Sequence, residues 1–189
     1  MRGDPRFALS IPGQSQLVRS FLAIYLQDHH AAGVAGARVA KRASTAIEQN
    51  AGVRGDLTRV ADEIRQDLIG LERIMRYLGV EPDPVKDTIS RIGERVTRFK
   101  LNGRILRRSP LSDLLELETL VVGITGKQAL WVSLREVLPA QRKELDQLLA
   151  RAEEQKRLVE NARVKAAKRI LRTAHLSYSS SALNRTVEN

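Results

Sequence analysis

The sequence predicts an all-α fold, an up-down four-helix bundle with an additional crossover helix. Apolar residues recur at intervals of three and four along most of the chain, which is the period of an amphipathic helix. Prolines and paired glycines divide these stretches into lengths typical of bundle helices. Aromatic residues make up 4% of the chain and cysteine is absent, so we expect an aliphatic core without disulfides or thiolate metal sites.

Two long helices are predicted in the first part of the chain. The first begins near Ser15 and ends near Asn50, and its small residues at 31–37 let a neighbouring helix approach closely. The second follows a glycine-containing turn, with Asp56 as its N-cap, and closes at Gly79. Both carry an apolar stripe, so we expect both to pack into the bundle.

Region 80–109 is predicted to form the crossover. The prolines at 82 and 84 exclude a continuous helix there, because each disfavours helical backbone in the residue before it. Helix is expected to resume near Pro84 or Val85 and to break again before Pro110.

Two more helices are predicted in the second part of the chain. Ser109 as N-cap and Pro110 at the first helical position start one of them, which continues towards Pro139. The last long helix follows Pro139 and again has apolar residues at intervals of three and four. The serine-rich residues 173–189 lack this period, so we expect a mobile tail there.

A chain of 189 residues suits one domain. We assign residues 1–14 to an N-terminal extension, 15–172 to a helical bundle domain and 173–189 to the tail. No apolar run approaches the roughly 20 residues needed to cross a bilayer, and the N-terminal residues lack the apolar stretch of a signal peptide. We therefore expect a cytoplasmic protein without a transmembrane segment.

The formal net charge is +10, and the excess of positive charge lies in two blocks. Neither block is interleaved with the exposed aromatic residues that single-strand binders use for stacking, because Phe99 falls on the buried side of its predicted helix. We therefore favour a solvated basic surface, and keep a nucleic acid or an anionic membrane as an alternative partner. The two blocks contain Arg98, Lys100, Arg104, Arg107 and Arg108, and Arg163, Lys165, Lys168, Arg169 and Arg172.

Three polar residues fall where the apolar stripes predict buried side chains. Asp28 and His29 take such positions in the first helix, and Glu118 does so in a later one. We expect these residues to form a polar core in which they pair with each other or with Arg, Lys and Tyr groups. Such a core would fix the register of the helices.

The helix order over residues 15–172, with the strings YLQDHHAAGVAG, KLNGRILRRSPLSDLLELE and GKQALW, resembles an uncharacterised family of bacterial ferritin-like proteins. The resemblance implies a ferritin-like bundle and carries no function. A ferritin-like di-metal site needs a Glu-x-x-His pair from each of two helices. Here Glu63 is followed by Gln66 and Glu118 by Val121, so that motif is not matched.

A metal site of another kind would draw on His29, Glu63, Asp67 and Glu118, because imidazole and carboxylate ligands suit iron, manganese or zinc. We expect no cofactor and no catalytic residues. The favoured function is a non-enzymatic helical bundle that acts through protein-protein contacts or self-association. The alternatives are a ferritin-like metal-binding or oxidase-like protein and an electrostatic binder of nucleic acid or anionic membrane.

Overall fold

Four helices pack against one another in a computed structural model of the chain. The structure describes the backbone of residues 14–46, 51–84 and 110–187 and the side chains of 21–45, 53–84 and 111–172. These residues form an all-α four-helix bundle, as the sequence predicts. Its elements are α1 (Gln14–Ala46), α2 (Ala51–Tyr77), α3 (Pro110–Val137), a short 3-10 turn (Pro139–Gln141) and α4 (Arg142–Val187).

Contacts between α1 and α3 show that these two helices are antiparallel. Arg42, near the end of α1, donates a hydrogen bond to Glu116, near the start of α3. Tyr25, nearer the start of α1, instead donates to Ser133, near the end of α3. Paired contacts along α4 give the same result for its two neighbours, α2 and α3.

The directions of the helices make the second connection a crossover. Gln27 donates to the backbone oxygen of Glu81, just past the end of α2, while Gly33 lies against Leu68 earlier in α2, so α1 and α2 are antiparallel. Because α3 is also antiparallel to α1, α2 and α3 run in the same direction and the order is up-down-down-up. The end of α2 and the start of α3 therefore lie at opposite ends of the bundle, separated by roughly the length of α3, about 42 Å for its 28 residues.

One long crossover is the connectivity of ferritin-like bundles. Helix is assigned at Pro84, where the sequence predicts that it resumes. The rest of the predicted crossover helix lies at 85–109, outside the described residues. Membership of a ferritin-like family likewise stays a prediction.

The ends of the helices confirm two predictions and correct two others. Pro110 is the first residue of α3, and Gly79 closes α2 with φ of 68°, where Val80 N–H bonds to Met75 O at 2.9 Å. Asp56, however, is not an N-cap, because α2 already begins at Ala51. The buried side chain of Val53 gives this extra turn a place in the core.

The second correction concerns the C-terminal residues. The sequence predicts that the last helix ends near residue 172, but α4 continues as helix to Val187. No proline or glycine occurs between 173 and 187 to terminate it. The weak apolar period of this stretch therefore does not mark the end of the helix.

The core is aliphatic, as predicted, apart from one tryptophan. Trp131 is the largest fully buried side chain among the described residues. Of the small residues of α1, Gly33 is used for close packing inside the bundle, because a Cβ added to it would lie only 3.1 Å from Leu68 Cδ1. Among the described helices, none is long and apolar enough to cross a membrane. The other large, fully buried apolar side chains are Leu26, Val60, Met75, Leu117, Leu130, Leu134, Leu145 and Val159.

Candidate functional site

The outward face of α3 carries an exposed, largely apolar stripe, here called the α3 stripe. Three of its large apolar side chains are well exposed: Leu111 at 42%, Val122 at 72% and Val132 at 48% of their full surface. Alternating steps of four and three residues separate its members, which is the heptad spacing that packs one helix along another. The stripe consists of Leu111, Leu115, Glu118, Val122, Thr125, Ala129 and Val132, none of which is buried.

The inward face of α3 carries a charge into the core. Lys127, whose side chain is 15% exposed, donates from Nζ to Asp67 Oδ2 in α2 and to Gln155 Oε1 in α4. Asp67 and Gln155 are both fully buried. A hydrogen-bonded cluster therefore joins three of the four helices at mid-bundle.

Two further side chains complete this cluster. Gln155 Nε2 donates to Glu63 Oε2 at 3.1 Å and to Asp67 Oδ2 at 3.2 Å. Arg151 forms an ion pair with Asp67 Oδ1, although the two groups lack the alignment of a hydrogen bond. We call these five residues, Glu63, Asp67, Lys127, Arg151 and Gln155, the polar network; its formal charges balance.

Burial acts strongly on Lys127. Removal of its ammonium from water lowers the pKa of Lys127, and the neighbouring charge and hydrogen bond of Asp67 oppose this only in part. Arg151 adds to the lowering, because it places a second positive charge nearby. The network therefore holds its lysine in the charged form less firmly than water would.

The predicted polar core is wrong in its first-helix members. Asp28 is exposed, and His29 is only partly buried, with its ring edge-on to Tyr25 at a centroid distance of 4.6 Å. The buried histidine is the next residue, His30, whose Nε2 lies 3.2 Å from Glu72 Oε1. Partial burial lowers the pKa of His29, and the charge of Asp28 opposes that shift.

Glu118 is also not a core residue. Its side chain is 45% exposed, and it lies in the α3 stripe, 3.8 Å from Arg163 of α4. The helical period correctly places Glu118 in line with apolar residues of α3, but these residues lie on the outward face of the helix. The expected pairing of Asp28, His29 and Glu118 in one core is therefore corrected.

The candidate metal ligands are not brought together. Glu63 and Asp67 share Gln155 in the polar network, whereas His29 lies in α1 and Glu118 on the outside of α3. In the part of the chain that the structure describes, no group of three or more His, Asp or Glu residues is placed to hold a metal ion.

The basic block of α4 lies on the surface, as its sequence suggests. Arg163 pairs with Glu160 and Glu118, and Arg169 lies 3.7 Å from Asp113. Lys165, Lys168 and Arg172 are exposed. The other block, from Arg98 to Arg108, lies outside the described residues.

Comparisons of this chain with protein-family models, curated proteins and solved structures found no match. Its function has to be inferred from its own residues.

Sequence reasoning singled out Glu63 and Asp67 only as metal candidates and missed the rest of the polar network. The signal was present, because Lys127 lies between Ile124 and Trp131 at helical spacing. Gln155 takes the same kind of position in the apolar stripe of α4. A polar residue at such a position predicts a buried partner, but the partner's identity depends on how the helices meet.

Proposed function

We propose that this protein is a non-enzymatic helical bundle that self-associates through the α3 stripe. The observation that carries the proposal is the exposure of Leu111, Val122 and Val132 on one helix face with heptad spacing. A helix that is apolar on both its inner and outer sides is typical of one with neighbours on both sides. Among the described helices of one copy, α1 and α4 pack against α3, and they leave the residues of the stripe unburied.

The order of residues in the stripe favours a second copy of the chain as the partner. An antiparallel pairing about a two-fold axis at Val122 sets Leu111 against Val132, Leu115 against Ala129 and Glu118 against Thr125 of the other copy. Val122 then meets its own equivalent. No two like charges within the stripe face each other, so the stripe is self-complementary, as an isologous interface requires.

Sedimentation equilibrium with a charge-swap pair tests this arrangement. The wild-type protein should sediment at twice its chain mass of 21.1 kDa. Val122→Glu and Val122→Lys should each be monomeric, because each places two like charges at the two-fold axis. A mixture of the two variants should form a heterodimer, since a carboxylate then faces an ammonium group.

Ile69→Glu is the matched control, because Ile69 is a 46% exposed apolar residue on α2. This variant should remain dimeric. A monomeric wild-type protein at 100 µM, on the order of the concentration at which weak interfaces associate, would overturn the proposal. So would a dimer that both Val122 variants leave intact. Failure of the mixed variants to pair would show that Val122 does not face itself and would replace the two-fold arrangement.

A further inference from the structure

One stretch of α4 is strongly and uniformly basic. Residues 161–187 contain six Lys or Arg residues and no Asp or Glu, and all of them lie in one continuous helix. Lys165, Lys168 and Arg172 are three and four residues apart, so they share one face. All three side chains are exposed.

Three acidic groups of the described residues pair with other members of this block. Asp113 lies against Arg169, while Glu118 and Glu160 both contact Arg163. Among the described residues, no ion pair is formed by Lys165, Lys168 or Arg172. Three adjacent cations therefore face solvent along a line about 10 Å long.

The basic stretch of α4 lies at the end of the bundle where α3 begins. The contact of Arg169 with Asp113 sets this part of α4 beside the first turn of α3. Arg107 and Arg108 directly precede Pro110, the first residue of α3.

We propose that this basic end of the bundle binds the phosphate backbone of double-stranded nucleic acid. An exposed line of lysine and arginine side chains is the chemistry that neutralises successive phosphates and releases their counterions. Because backbone contacts carry no base sequence, the binding is sequence-independent.

The surroundings of the cations favour a duplex over the other anionic partners. A helix that lies on a bilayer needs an apolar face to insert, but Leu171 is the one exposed large apolar residue in the described part of α4. Single strands need exposed aromatic rings for stacking. The exposed aromatic side chains in the described residues, Phe21 and Tyr77, lie at the opposite end of the bundle.

Fluorescence anisotropy with a labelled 20-base-pair duplex of arbitrary sequence, a length of roughly two helical turns, tests the proposal. Wild-type protein should bind, with an affinity that falls steeply as salt rises. The triple variant Lys165→Glu, Lys168→Glu, Arg172→Glu should lose roughly tenfold or more in affinity. The slope of log K against log salt should become shallower by about 2.7, from three lost phosphate contacts.

The control is Arg76→Glu, Arg142→Glu, Lys143→Glu, which changes the net charge equally at exposed positions of the opposite end. It should keep most of the affinity. A glutamine version of the α4 triple variant, with circular dichroism of every protein, separates lost binding from lost helix. If the glutamate triple variant of α4 and the control triple variant lost the same affinity for the duplex, the effect would be one of net charge and the proposed site would be overturned.

Two other outcomes would also overturn the proposal. One is an absence of duplex binding at 50 mM salt, roughly the concentration where electrostatic binding is strong. The other is binding to vesicles of phosphatidylserine and phosphatidylcholine but not to the duplex, which would assign the basic end to a membrane surface. Because Val122 lies outside this region, a monomeric Val122→Glu variant should still bind the duplex, which separates this proposal from self-association.

Discussion

The inner and outer faces of α3 depart from the usual distribution of polarity in opposite directions. On the inner face, Lys127 takes a core position next to fully buried apolar side chains. On the outer face, five residues away, Val122 is 72% exposed. The usual pattern, with apolar residues inside and polar residues outside, would place the lysine on the outer face and the valine on the inner face.

The two departures differ in whether the molecule compensates for them. Lys127 has partners from two other helices, and its charge is balanced within the polar network. Val122 has no such compensation among the described residues of one copy. The comparison therefore gives the two residues different roles. Lys127 fixes how the helices of one copy meet, whereas Val122 is suited to contact with a second molecule.

Breaking the polar network should have the largest effect on folding. Asp67→Ala leaves Lys127 and Arg151 without their shared carboxylate, so we expect the free energy of unfolding to fall by about 3–5 kcal/mol. Lys127→Met should cost less, since Asp67 keeps Arg151 and Gln155 as partners. Urea unfolding of the purified variants measures both.

Asp62→Ala is the control for this pair, because Asp62 is exposed on the same helix. Its free energy of unfolding should stay within about 0.5 kcal/mol of the wild-type value. If Asp67→Ala is no more destabilising than Asp62→Ala, the polar network contributes nothing to the stability of the fold. If Lys127→Met proves the more costly variant, Lys127 and not Asp67 is the centre of the network.

Two glycines of α1 sharpen the comparison between packed and open surfaces, with a smaller expected effect. Alanine in a helix interior is favoured over glycine by about 0.5–1 kcal/mol. A Cβ at Gly36 meets nothing within 4 Å, so Gly36→Ala should gain that amount. At Gly33 the Cβ would press on Leu68 Cδ1, so Gly33→Ala should gain less or lose stability. Thermal unfolding compares them, and equal shifts would contradict close packing at Gly33.

The sequence predicted the fold because the fold depends on local signals. Apolar period, the proline at 110 and the glycine at 79 each act within a few residues, and each places an element correctly. The end of α4 was missed because the apolar period weakens after residue 172, although no proline or glycine occurs there to stop the helix. Contacts across the bundle, which set helix direction, leave no local signal.

The candidate sites depended more on geometry. A periodic pattern indicates which face of a helix a residue lies on. Consecutive residues are only about 100° apart around the helix axis, so a small error in phase selects the neighbouring residue. His29 was therefore chosen over His30, and Glu118 was placed inside instead of outside. Lys127 and Gln155 could have been found as polar residues within apolar stripes. Their pairing with Asp67 depends on crossing geometry that no single helix encodes.

The smallest expected effect is a pH dependence that belongs to Lys127 alone. Its pKa is lowered by burial, whereas lysine in the unfolded chain titrates near pH ~10.4. Between these two pKa values the unfolded state binds more protons, so the contribution of Lys127 to stability rises with pH.

The free energy of unfolding of wild type minus that of Lys127→Met should therefore increase between neutral pH and about pH 10. Urea unfolding at several pH values measures this difference, in which other titrating groups largely cancel. A difference that falls with pH would mean that the carboxylates of Asp67 and Glu63 outweigh the burial of the ammonium group, and the inner face of α3 would then hold a conventional ion pair.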